Sequence, residues 1–142
     1  MSHIERLESH LIQLGVRHEP VAERTWALYP DTAVPAPIAL TLEDPIVLLS
    51  VGVLEVTSDT PDREGLFRRL LELNAQLLHS SYGLQGDRVV LSAAHPVDTL
   101  DFTELQAIVD DMSMALDNQL DELRPWGGAG ASGTHPRPDG SA

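Results

Sequence analysis

The side chains able to do chemistry in this chain are six histidines and twenty-two carboxylates. His3 and His10 are seven residues apart, about two helical turns, so a helix can point both the same way. Metal-binding pairs on a helix sit three or four apart, as in His-Glu-x-x-His, and that motif does not occur. His18, His79, His95 and His135 are scattered, and their spacing points to no common site. Asp110, Asp117 and Asp121 fall on one side of a C-terminal helical segment, with Asp111 nearby. Paired carboxylates run acid–base or divalent-metal chemistry. The plainer explanation is a solvated acidic face opposite a leucine stripe.

Nucleophilic catalysis has even less to work with. The chain holds no cysteine and no Gly-x-Ser-x-Gly elbow. Ser80-Ser81 follows His79, but sequence neighbours seldom form a working dyad. All nine basic residues are arginine, so a Schiff-base lysine and a P-loop lysine are both excluded. The Gly127–Gly133 stretch follows a helix and opens none, the reverse of a phosphate cradle. No catalytic residue, cofactor site or metal site is expected, and the chain does not read as an enzyme.

Charge narrows the partners. Nine arginines against twenty-two acids leave a formal net charge of −13. Such a surface repels the phosphates of nucleic acid and anionic membranes alike. It attracts basic protein surfaces and speeds encounter with them. Aliphatic and aromatic residues make up 42% of the chain, enough for a core in one domain of 142 residues. No apolar run approaches the roughly 20 residues needed to span a bilayer. Met1–Arg6 lacks the charged head and apolar middle of a signal peptide. With no cysteine for disulfides, a cytoplasmic location is expected.

The elements that would position these groups are clearly punctuated. Ser2 and Glu5 form a capping-box pattern ahead of Ile4, Leu7, Leu11 and Leu14, and Gly15 is the stop. Alternation marks strands over 24–29 and 38–42. A nearly all-aliphatic run over 46–56 reads as a central strand, or as an edge strand covered by a partner. Gly52 within it marks a bulge or a close backbone approach. Thr60-Pro61 opens a second helix expected to end near His79-Ser80. Tyr82–Leu84 and Arg88–Leu91 flank a turn at Gln85-Gly86-Asp87. Asp101 with Glu104 caps a third helix striped by Phe102, Leu105, Ile108, Val109, Met112, Leu116, Leu120 and Leu123. The order is α-β-β-β-α-β-β-α, an α+β fold with an antiparallel sheet packed with helices. The domain spans 1–124, and 125–142 reads as a flexible Gly/Pro-rich tail. Trp126 is its one residue able to anchor anything.

The most unusual element is the second helix. Leu66, Phe67, Leu70, Leu71, Leu73, Leu77 and Leu78 cover a band wider than one core-facing stripe. Either sheet and first helix bury it all, or part of it is a dimer or partner surface.

The run Leu70-Leu71-Glu72-Leu73-Asn74-Ala75, then Tyr82-Gly83-Leu84, Asp87-Arg88-Val89-Val90-Leu91 and Leu100-Asp101-Phe102-Thr103-Glu104-Leu105, resembles the type III secretion chaperone fold (CesT-like), including its YbjN relatives. The resemblance covers about residues 1–124. It implies a non-enzymatic homodimer that binds another protein, as secretion chaperones hold an effector segment partly unfolded. The glycine-rich tail departs from that pattern. The expected function is therefore a chaperone-like adaptor. Two alternatives stand beside it: a small enzyme gathering His18, His79, His95 and carboxylates, and an acidic regulator of a basic nucleic-acid-handling protein.

Overall fold

The computed structural model describes residues 2–32 and 36–127. Helix α1 (His3–Leu14) starts at the expected capping box: the Glu5 amide donates to Ser2 Oγ at 3.1 Å, and the Ser2 amide donates to Glu5 Oε1 at 2.9 Å. It stops at Gly15, whose φ of 76° is the left-handed C-cap that glycine adopts without strain.

Among the described residues six strands follow in two groups: β1 (Arg17–Ala22), β2 (Thr25–Tyr29), β3 (Ile38–Glu43) and β4 (Ile46–Glu55), then β5 (Ser81–Gln85) and β6 (Arg88–Pro96). They form one antiparallel sheet in the order β1-β2-β3-β4-β6-β5. The aliphatic run β4 is central, with β3 and β6 as neighbours, so its apolar character on both faces needs no edge partner. The β4–β6 register slips between Gly52 and Leu54, the bulge that Gly52 signalled.

The α+β antiparallel architecture is as expected, but the expected order lacked one strand. Arg17–Ala22 does not alternate: it carries Arg17, Glu19 and Pro20, and most of it is exposed. It is an edge strand held by the tight turn at Glu23-Arg24, where Arg24 takes a φ of 60°. Proline is tolerated there because the missing amide sits at a sheet edge.

Helix α2 (Arg63–Asn74) is shorter than expected at both ends. Asp62, not Thr60, is its N-cap, accepting from the Gly65 amide at 3.1 Å. Thr60 instead accepts the Thr57 amide at 2.8 Å, closing the preceding turn. The helix stops at Asn74 because the amides of Leu78, His79 and Ser80 turn to the Asp111 carboxylate. Helix α3 (Phe102–Leu123) carries the expected Asp101–Glu104 capping box.

One hydrophobic core unites the layers. Leu7 and Leu11 of α1, Leu66 and Leu73 of α2, and Leu105, Met112 and Leu116 of α3 join Trp26, Leu28, Leu40, Leu49 and Leu91 of the sheet. The chain continues past α3 through a short 3₁₀ turn, Arg124–Trp126. There the Trp126 indole N–H donates to the Asp62 carbonyl at 3.1 Å and its ring packs on the core. Trp126 therefore anchors the end of α3 to the start of α2. Of the expected tail, 128–142 lies outside the described residues, as does Pro35 of the loop before β3.

Candidate protein-binding surface

The broad apolar band of α2 divides once the helix is docked. Leu66, Leu70 and Leu73 are buried in this single chain, and Phe67 and Leu77 are partly buried against the core. Leu71 and Leu78 remain 71% and 84% exposed. Spacing explains the division. Leu66, Leu70 and Leu73 recur at four and three residues and share one face, whereas Leu71 is turned away from it. Burial of the first three gives them a folding role, and only the outer part of the band is free to meet another molecule.

That outer part is a shallow groove of about 800 Å³ lined by Arg63, Glu64, Phe67, Arg68, Leu71 and Glu72. Its charges are of both signs. Arg69 is committed to Glu72 (3.1 Å) and to Glu122 of α3, and those two carboxylates raise its pKa. Arg63, Arg68 and Glu64 form no ion pair with any described residue. The groove thus combines an exposed leucine, a half-buried phenylalanine and uncommitted charges of both signs.

A polar hub holds this helix against α3. Asp111 is 5% exposed and accepts four hydrogen bonds: from the amides of Leu78 (3.4 Å), His79 (3.0 Å) and Ser80 (3.1 Å), and from Ser80 Oγ (2.8 Å). Burial pushes the Asp111 carboxyl up, but these bonds outweigh it and leave the group below its ordinary value. Nearby, the buried Tyr82 hydroxyl donates to Gln119 Oε1 at 2.6 Å. Burial, with the Glu122 charge, raises the pKa of that phenol. Asp111 is therefore a structural ligand of the 78–80 loop and not part of an outer acidic face. Its position was legible: Ile108, Asp111 and Ala115 recur at three and four residues, which places it on the inward stripe.

The described histidines do not assemble. His3 sits between Asp44 (2.9 Å) and Asp98 (2.8 Å), tying the start of α1 to the β3–β4 turn and to the turn after β6. The ring of His18 contacts the Val16 carbonyl at 2.9 Å. His95 contacts the Pro96 carbonyl at 2.9 Å and Glu104 at 3.3 Å. His79 uses its backbone amide on Asp111. Both ring nitrogens of His10 are buried with no hydrogen-bond partner among the described residues. His135 lies outside the described residues. Among the described residues, no three histidine, aspartate or glutamate side chains are grouped to hold a metal ion. No helix among them is long and apolar enough to cross a membrane.

A profile of the CesT_Tir_1 family, the type III secretion chaperones, matches residues 1–126. The chain belongs to this family. The match ends at Trp126, the residue that pins the end of α3 to α2.

Among solved structures, the chain is similar to one from the heterodimeric ExoU–SpcU complex of the Pseudomonas aeruginosa type III secretion system. The TM-score is 0.63 at 21% identity, over 84% of this chain and 96% of that one. It is also similar to a chain of the HopA1–SchA chaperone–effector complex, with a TM-score of 0.53 at 19% identity, over 86% and 90%. E. coli YbjN aligns with a TM-score of 0.55 at 18% identity, over 78% and 86%. At these identities the structures show that the fold is shared. None of the curated proteins matches the chain.

Proposed function

We propose that this member of the secretion chaperone family is a non-enzymatic, cytoplasmic adaptor that homodimerises through the outer face of α2 and holds a partner protein. The observation that carries the reading is the groove beside Leu71: apolar, open, and flanked by Arg63, Arg68 and Glu64 without ion pairs to described residues. Such a face is self-complementary. Two antiparallel copies of α2 centred on Phe67 place Leu71 of each beside the first turn of the other, where Arg63 and Glu64 lie. The chaperone–effector complex among the structural neighbours supports a protein as the second partner. A net charge of −13 favours a partner with a basic surface, encountered at a salt-dependent rate.

Sedimentation equilibrium tests the dimer. The expected result is a dimer for the parent protein and a folded monomer for Leu71→Glu, with a thermal midpoint lower by the lost mass-action stabilisation. A parent protein that stays monomeric through the micromolar range overturns the homodimer. The acidic-regulator reading keeps one supporting observation, the same charge excess. It requires capture of a nucleic-acid-handling protein that modest added salt releases.

A further inference from the structure

The connection from β6 to α3 is short, and two histidines brace it. It holds one 3₁₀ turn, Val97–Thr99, ahead of the α3 cap Asp101. His3 reaches that turn from the start of α1, and His95 stands just before it on β6. The groups around each ring limit the form of ring that fits.

A neutral imidazole carries one N–H and one bare lone pair, whereas an imidazolium carries two N–H groups. Nδ1 of His3 lies 2.9 Å from Asp44 Oδ1, and its Nε2 lies 2.8 Å from Asp98 Oδ1. Both oxygens belong to exposed carboxylates, which only accept when ionised. The imidazolium makes both bonds. A neutral ring makes one and turns a lone pair on the other carboxylate. His95 is placed in the same way. Its Nδ1 lies 2.9 Å from the Pro96 carbonyl, which only accepts, so that nitrogen carries a hydrogen. Its Nε2 then faces Glu104 Oε2 at 3.3 Å, a contact that attracts when this nitrogen is protonated as well.

The other charged groups on these elements are already occupied. Arg6 of α1 donates to the Asp98 carbonyl at 3.4 Å. Glu5 accepts from the Ser2 amide, and Asp101 accepts from the Glu104 amide at 2.7 Å. Asp44, Asp98 and Glu104 are thus the carboxylates that the two rings meet. The two turns joined by His3 also meet through the backbone, where the Val97 amide donates to the Pro45 carbonyl at 2.8 Å.

We propose that His3 and His95 form a proton-operated brace that fixes the Val97–Thr99 turn to the starts of α1 and α3. With both rings protonated, the three pieces are tied. When the rings lose their protons, that turn and the first turn of α1 open more readily. The bound protons favour the closed form, so the brace is complete at the acid end of the range in which histidine changes charge, about pH 5–8. It is lost as pH rises through that range. Asp111 has the opposite sense, since its contribution is lost as pH falls, and the two effects are separable. The brace uses no residue of the α2 groove and does not depend on dimerisation there.

Hydrogen exchange of the full chain at about pH 6 and about pH 8, corrected for the intrinsic rate, tests the brace. The reporters are the Arg6 amide, bonded to the Ser2 carbonyl at 2.9 Å, and the Val97 amide. Their protection should fall ~3-fold or more between the two conditions, the scale of a few partly exposed ion pairs acting together. In His3→Gln/His95→Gln it should not change, because neither replacement titrates. Asp98→Asn keeps both rings and should shrink the response at Arg6. Equal protection of the parent at the two pH values overturns the brace, as does a fall that persists undiminished in the double variant. If the double variant does not fold, Asp98→Asn decides: an Arg6 response as large as the parent's overturns the proposal.

Discussion

Replacing Asp111 with alanine is the most exacting test of how α2 and the following loop are held. The substitution removes one acceptor group and orphans four donors: three amides and the Ser80 hydroxyl. Ser80 is buried, so its amide and hydroxyl lose their partner inside the protein. Leu78 and His79 are more accessible, and water takes over part of their loss. A hydrogen bond to a charged group contributes about 1.5–3 kcal/mol and an orphaned buried donor costs about 1–3 kcal/mol. The removed carboxylate no longer has to be desolvated, which offsets part of the sum. The net loss expected is about 3–4 kcal/mol, most of it from the two Ser80 bonds.

The pH dependence makes that prediction sharper. The folded-state pKa of Asp111 lies below its unfolded value. Its contribution is therefore fully present above about pH 4, the ordinary carboxylate range, and is lost as pH falls through the depressed folded value. Urea denaturation at pH 7 and again in the acid limb measures both effects. Asp111→Ala should be destabilised at neutral pH, with the gap to the parent narrowing on acidification. A loss under about 1 kcal/mol at pH 7, or a gap that stays constant into the acid limb, refutes the hub.

Other perturbations probe the remaining assignments. His10→Leu should raise stability by about 1 kcal/mol, because it removes two buried ring nitrogens that lack partners; a lower thermal midpoint contradicts this. Leu66→Ala should cost about 3 kcal/mol, whereas Leu78→Ala should stay within about 0.5 kcal/mol; similar costs in calorimetry would mean the α2 band is not divided as described. Trp126→Ala should cost about 2 kcal/mol through lost packing and the lost bond to the Asp62 carbonyl. A midpoint equal to the parent's would mean the Arg124–Trp126 turn is not an integral part of the domain.

Much of the scaffold was legible because it rests on local physics. A capping box needs only two side chains three residues apart, so Ser2–Glu5 and Asp101–Glu104 announced the starts of α1 and α3. Alternation and aliphatic content marked β2, β3 and β4, and Gly52 marked the bulge. β1 was missed because an edge strand with Pro20 and two charges lacks the alternation that a half-buried strand shows. The ends of α2 were misplaced because competing partners decided them. Asp62 captured the Gly65 amide at one end, and Asp111, distant in sequence, captured the loop amides at the other.

The sequence by itself determined the α+β class, the acidic surface and the absence of nucleophile chemistry based on cysteine or lysine, since these follow from residue types and short spacings. Tertiary structure alone decided which leucines of α2 are core and which are surface, which donors Asp111 accepts from, and which carboxylates His3 meets. Those outcomes depend on which groups meet across long stretches of chain, and a buried donor takes whichever acceptor the fold brings within reach.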